Sequence, residues 1–168
     1  MGVCRQGGQL GIPLERFNLF GHSQGGQFVN RFVLLHPDRV HRAAACGSGS
    51  YVDLELEDAF PWGGLRNPLI PDVRIDLRDL VTSHLVIVVG SEDRAGGSSP
   101  LRRLESADKF ARQVDRYAAR HRLRSMVSTR IAQGAEHRGR HNYPTASENL
   151  FRRMWILKKD FPRPKEEQ

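Results

Sequence analysis

The hexapeptide Gly21–Gly26 (G-H-S-Q-G-G) joins a short apolar segment to a helical pattern, and this junction constrains the fold strongly. The segment before it, Arg16–Phe20 (R-F-N-L-F), is typical of a buried strand. The segment after it, Gln24–His36, repeats apolar residues at helical spacing and stops before a proline. So direct a change from strand to helix predicts a tight turn that strains the backbone of Ser23, with the glycines two residues to either side relieving the crowding. We expect the turn to raise the Ser23 hydroxyl above the carboxyl end of the sheet, where ligands bind in open α/β folds.

Strand and helix patterns alternate along the rest of the chain. Leu85–Val89 (L-V-I-V-V) is continuously apolar and β-branched, as a parallel strand buried on both faces should be. Such alternation predicts a single α/β domain with about four strands, a mostly parallel sheet and helices on both faces. The other predicted elements are strands Val40–Cys46 and Met126–Ala132, a helix from Ser99 and Pro100 to about His121, and a last helix opened by a capping box at Thr145 and Glu148.

An acidic and a basic side chain follow two of these strands. Gly90–Asp93 (G-S-E-D) follows the third strand and Gly134–His137 (G-A-E-H) follows the fourth. Because the carboxyl ends of parallel strands share one edge, Ser23, Asp93 and His137 are expected to lie there together. A serine hydroxyl needs a base at neutral pH, and the base needs a third group to hold its tautomer, so the three are predicted as nucleophile, acid and base of a catalytic triad.

The same residues leave some alternatives open. Glu92 is the alternative acid and His141 the alternative base, although the spacing from the strand ends favours Asp93 and His137. His137 and His141 also form H-x-x-x-H, but Gly139 between them disfavours a helix and the glutamate of H-E-x-x-H is absent, so no metal is predicted. The triad needs no cofactor. The backbone amide of Gln24, at the start of the first helix, is predicted to donate one hydrogen bond in an oxyanion hole.

Residues 47–83 have no clear periodicity, and a loop of that length is typical of a lid or a binding loop. Tyr51 and Trp62 in this segment, together with His22, are predicted as substrate-binding residues. The alternative for the aromatic side chains, Phe60 included, is that they anchor the segment to the core. Residues 1–15 are predicted to be an irregular lead-in and residues 161–168 a frayed tail.

The net charge of +7 comes mainly from arginine, since only four of the 26 basic residues are lysine. Only Tyr117 accompanies the dense basic stretch Arg112–Arg124, whereas nucleic-acid binding uses several stacking aromatics, so we interpret the arginines as a solvated helix face and predict no nucleic-acid partner. Cys4 and Cys46 are too few for a disulfide framework or a zinc site. No segment is apolar enough for a membrane helix or a signal peptide, which predicts a cytoplasmic protein unless a secretion signal lies upstream.

The motif R-F-N-L-F-G-H-S-Q-G-G-Q-F, followed by H-P-D-R-V, resembles esterases of the polyhydroxybutyrate-depolymerase-like and related groups in the α/β-hydrolase superfamily. The family's acid commonly follows its seventh strand as G-x-x-D with a proline downstream, matched by Gly90–Asp93 and Pro100. The family's histidine commonly follows the eighth strand as G-x-x-H, matched by Gly134–His137. The resemblance covers about residues 9–160 and implies a serine hydrolase that acts on small or polymeric carboxylic esters.

The resemblance also implies a partial fold. The family has eight strands with the nucleophile on the fifth, so this chain corresponds to the carboxyl-terminal half, from the nucleophile strand onward. The loop after the family's third strand supplies the second oxyanion-hole amide, which has no counterpart here. The nucleophile strand would be an open edge, which favours self-association or pairing with an amino-terminal half. The alternative functions are a non-catalytic truncated remnant and, less favoured, a basic nucleic-acid-associated protein.

Overall fold

A computed structural model describes residues 16–55, 75–95 and 100–151 of the chain. Short segments form the strands, of which Leu85–Gly90 is the most apolar, and each strand is followed along the chain by a helix. In order, the elements are β1 (Phe17–His22), α1 (Gln24–Leu35), a 3₁₀ turn (Pro37–Arg39), β2 (Val40–Cys46), α2 (Leu77–Thr82), β3 (Leu85–Gly90), α3 (Pro100–Arg120), β4 (Val127–Ala132) and α4 (Gly139–Phe151).

The four described strands form one sheet in the order β1-β2-β3-β4, and every neighbouring pair is parallel. Across the sheet, Gly21 is in register with Ala45, Ala45 with Ile87, and Ile87 with Thr129. All four strands therefore run in one direction and end at the same edge. The predicted α/β class and parallel sheet are confirmed.

The core lies on both faces of the sheet because side chains alternate along each strand. Leu85, Ile87 and Val89 of β3 belong to a cluster with apolar residues of α1, α2 and α3. Val86 and Val88 point to the other face, where the cluster includes buried residues of α4. Helices thus cover both faces, as the alternating pattern predicts.

Two helices differ from expectation. The last helix begins at Gly139, so the capping-box prediction was wrong, and Pro144 lies inside the helix. The residues before Pro144 contact the rest of the fold: the Tyr143 ring packs on Phe20, with ring centroids 4.6 Å apart, and buried Asn142 donates to the carbonyls of Glu136 and Arg138. The segment predicted to have no regular structure contains α2, where Asp76 caps the helix by accepting a hydrogen bond from the Arg78 amide (2.7 Å).

Several expectations lie outside the described residues. They are the lead-in of residues 1–15, the central part of the long segment with Phe60 and Trp62, the Ser99 N-cap, Cys4 and the tail of residues 161–168. Cys46 is described and is buried, which raises the pKa of its thiol to about 12. Among the described helices, none combines the length and the hydropathy that crossing a bilayer requires.

Candidate active site

The turn between β1 and α1 strains Ser23, as the motif predicts. Ser23 has φ 57° and ψ −117°, a region that side-chain-bearing residues rarely occupy. Its amide donates a hydrogen bond of 2.9 Å to the carbonyl of Cys46 at the end of β2. The turn is thus tied to the neighbouring strand, and the strain is held by this backbone contact.

The glycines that the turn requires are only partly those of the motif. A Cβ on Gly21 would lie 2.1 Å from the Gly25 carbonyl oxygen, so only glycine fits at this position. A Cβ on Gly25 would meet nothing within 4 Å, which corrects the expectation that both flanking glycines relieve crowding. The second position that requires glycine is Gly26, where a Cβ would lie 2.7 Å from the Cys46 carbonyl oxygen. Helix α1 needs this glycine to approach β2.

The structure brings together the three side chains that the sequence places at the strand ends. His137 Nε2 lies 2.9 Å from Ser23 Oγ, and His137 Nδ1 lies 2.8 Å from Asp93 Oδ2. Glu92 is exposed, and His141 Nδ1 instead accepts a hydrogen bond from the Glu136 amide. Of the alternatives for acid and base, Asp93 and His137 therefore have the geometry of a triad.

The partners of His137 fix what each ring nitrogen does. A carboxylate can only accept, so the contact with Asp93 requires the proton on Nδ1. Nε2 then carries a lone pair directed at the Ser23 hydroxyl. Asp93 is fully buried, whereas the His137 side chain is 22% exposed and Ser23 is also partly exposed. The array is therefore accessible at Ser23 and His137 and closed at Asp93.

His22, a predicted substrate contact, packs beside this array. Its ring centroid lies 4.7 Å from that of His137. Burial lowers the pKa of His22, and the charge of a protonated His137 adds to the effect. The positive charge of Arg103 lowers this pKa further, whereas the negative charge of Asp93 opposes the change. His22 therefore presents a neutral ring to the base at neutral pH.

For the other two predicted substrate contacts the structure gives different outcomes. Tyr51 is buried and its ring stacks on Phe110 of α3, with centroids 5.9 Å apart, which favours the anchoring alternative. Trp62 lies outside the described residues. Gln24 is the first residue of α1, where backbone amides have no acceptor within the helix. Its amide is thus available at the turn that carries Ser23.

Arg103 is the residue at this site that sequence reasoning missed. The expectation of a solvated basic helix face is wrong for this arginine, because its side chain is only 7% exposed and lies 3.3 Å from Asp93. Helix α3 carries several arginines among other charged residues, and the sequence gives no signal that distinguishes the buried one.

Comparisons with known proteins identify the fold family of the chain. A family profile described as "alpha/beta hydrolase fold" matches residues 9–92, which is half of the chain. A search of curated protein sequences finds no match. Among solved structures, poly(aspartic acid) hydrolase-1 from Sphingomonas sp. KT-1 is similar, with a TM-score of 0.69 and 24% identity over 88% of this chain and 60% of that chain.

A poly(3-hydroxybutyrate) depolymerase from Bordetella parapertussis is also similar, with a TM-score of 0.63 and 25% identity over 92% of this chain and 53% of that chain. A thermostable esterase aligns with a TM-score of 0.53 and 10% identity, over 93% of this chain and 34% of that chain. The chain thus spans between about a third and three fifths of the length of these relatives. With its profile match, its parallel sheet and its strained serine turn, the chain belongs to the α/β-hydrolase fold family.

Proposed function

We propose that this chain carries the nucleophile, base and acid of a serine hydrolase that cleaves carboxylic esters. The observation that supports the proposal is the continuous array from Ser23 Oγ through the His137 ring to Asp93, with both contacts under 3 Å. Of the similar solved structures, the one at 25% identity is named a poly(3-hydroxybutyrate) depolymerase, which supports an ester as the substrate. Poly(aspartic acid) hydrolase-1, at 24% identity, shows the shared fold alone.

The reaction follows from the roles that the contacts permit. His137 Nε2 accepts the proton of the Ser23 hydroxyl while Oγ attacks the ester carbonyl carbon, and the carbonyl becomes an oxyanion. The amide of Gln24 donates to that oxyanion. His137 then returns the proton to the alkoxide leaving group, and an acyl-serine remains. Water, deprotonated by His137, releases the carboxylic acid and restores Ser23.

The oxyanion hole determines how well the chain works by itself. Two amides commonly form it in this fold, and the second comes from a loop upstream of the nucleophile strand. Among the described residues, the Gln24 amide is the donor that the turn supplies. Loss of one donor costs about 10²–10³ in rate. We therefore propose that full activity depends on a second polypeptide region that supplies the other donor.

Labelling with a fluorophosphonate probe tests the proposal, because the probe reacts with an activated serine and does not require turnover. We expect the wild-type chain to be labelled, Ser23→Ala to be unlabelled and His137→Ala to be labelled at least about 10²-fold more slowly. Ser106→Ala, a serine on α3, serves as the matched control and should label like the wild type. Hydrolysis of p-nitrophenyl acetate should be detectable and slow.

Two results would contradict the proposal in different ways. Labelling of Ser23→Ala at the wild-type rate would remove Ser23 from the mechanism. A well-folded wild-type chain that does not react would favour the non-catalytic alternative. The fold assignment would stand in both cases.

A further inference from the structure

Arg103 is a buried cation on α3 that contacts two loops beside Asp93, the acid of the array. Its Nη1 donates to the Gly47 carbonyl at 3.0 Å and its Nη2 donates to the Ala95 carbonyl at 2.7 Å. Its Nε lies 3.3 Å from Asp93 Oδ1 without forming a hydrogen bond, so this contact is an ion pair. The fork of the guanidinium therefore spans the loop after β2 and the loop after β3.

The ion pair occupies the side of Asp93 that His137 does not use. Oδ2 of Asp93 faces His137 Nδ1, while Oδ1 accepts the Ala95 amide at 3.2 Å and faces Arg103. A fully buried carboxylate needs such partners, because burial without them is costly. The Ala95 amide and Arg103 both lie at Oδ1, so Oδ2 is the oxygen that faces His137.

The contact with Gly47 links the same cation to the nucleophile. Gly47 follows Cys46, whose carbonyl holds the strained amide of Ser23. Gly47 itself has φ +52°, and a Cβ there would lie 3.1 Å from Asp93 Oδ2 and 3.4 Å from His137 Nδ1. This backbone therefore borders the Asp93–His137 pair, and the Arg103 guanidinium holds it in place from α3.

We propose that Arg103 is a positioning residue: its guanidinium holds Asp93 in the orientation in which Oδ2 meets His137 Nδ1. This inference rests on the proposed function, since it concerns the same array. Arg103 is not a catalytic residue, because its contacts reach the acid and two backbone carbonyls and not the serine.

The test compares Arg103→Met, Arg103→Lys and Arg103→Ala with Arg112→Ala, which removes an exposed arginine from the same helix. In Arg103→Met we expect fluorophosphonate labelling about tenfold slower than in the wild type. Arg103→Lys should recover only part of the rate, because an ammonium lacks the planar fork of the guanidinium. Methylguanidinium added to Arg103→Ala should raise its labelling rate, and Arg112→Ala should behave as the wild type.

A second readout separates this inference from the proposed function. The proton NMR signal of His137 Nδ1–H reports the hydrogen bond to Asp93 whether or not the serine reacts. Its presence in the wild type and its loss in Arg103→Met would support positioning even if labelling failed. Three results would overturn the inference: a wild-type labelling rate and NMR signal in a folded Arg103→Met chain, equal rate loss in Arg112→Ala, or rate loss that tracks only the unfolded fraction, with no rescue by methylguanidinium.

Discussion

Ser23 keeps its strained backbone because both sides of its turn are tied to neighbouring structure. Its amide bonds to the Cys46 carbonyl, and Gly21 and Gly26 allow the backbones of β1, α1 and β2 to approach closely. At φ 57° and ψ −117° the serine would relax if either approach were lost. Glycine is thus needed where two backbones approach closely, and the G-x-S-x-G motif identifies only Gly21 of these two positions.

This distinction predicts opposite outcomes for two adjacent substitutions. Gly26→Ala should lower the free energy of unfolding by about 1–3 kcal/mol, because its Cβ meets the Cys46 carbonyl and α1 must shift. Gly25→Ala should leave the free energy unchanged or raise it by up to about 1 kcal/mol, since alanine favours the helix and meets open space. Urea unfolding measures both. Equal destabilisation by the two variants would show that the motif glycine is needed after all.

Sequence patterns predict which side chains lie at the ends of strands better than they predict the contacts that side chains of other elements make. The convergence of Ser23, Asp93 and His137 follows from parallel strands ending at one edge, so the chain order of the residues was enough to predict it. The inward turn of Arg103 depends on how α3 packs over two loops, and no periodicity records that. The catalytic roles of the three side chains stay predictions until labelling tests them.

Helix α3 is the element that connects the site to the rest of the fold. Phe110 stacks on Tyr51, and Lys109 and Gln113 bind the Asp53 carboxylate. Burial would raise the pKa of Asp53, but these hydrogen bonds lower it. The segment after β2 is therefore fixed to the helix that also carries Arg103.

Strand β3 was predicted well because a parallel strand buried on both faces is a continuous apolar run. The two helices that differed lack a strong local signal. Helix α2 has six residues, too few for a periodic pattern, and Asp76 caps it. Helix α4 contains Pro144, which local sequence rules place at a helix start. Both helices contribute buried residues to the core clusters, and no local pattern records that packing.

Pro144 offers a test of that packing argument. A proline inside a helix cannot donate to the carbonyl four residues earlier and crowds it, so Pro144→Ala should raise the free energy of unfolding by about 1 kcal/mol or more. Pro37 is the matched control because it begins the 3₁₀ turn, where proline is compatible. Pro37→Ala should lower the free energy by about 0.4–1 kcal/mol. Chemical denaturation measures both, and a loss of stability in Pro144→Ala would show that proline is favoured at this position.

For the whole molecule, the two edges of the described sheet differ in character. Next to the β1 edge lies an aromatic cluster in which Phe17 and Phe28 each contact Phe32, at ring-centroid distances of 5.8 and 5.5 Å. The β4 edge has the polar sequence Val127–Ala132 (V-S-T-R-I-A), with a charged Arg130 of the kind that discourages pairing. Because the chain spans 60% and 53% of two solved relatives, we propose that the β1 edge is where further strands of the fold pair.

If the β1 edge can pair with another strand, the isolated chain should associate through this edge at high concentration. Phe28 of α1 is 57% exposed and Leu101 of α3 is 62% exposed, so lysine at either position should cost little packing. Phe28 lies near the β1 edge and Leu101 near the β4 edge. Sedimentation velocity over a concentration series should show association of the wild type, reduced association of Phe28→Lys, and wild-type behaviour of Leu101→Lys. Added charge beside an edge hinders pairing through repulsion and through desolvation of the lysine. A wild-type chain that stays monomeric would contradict the prediction, and loss of association in Leu101→Lys alone would place the interface at the β4 edge instead.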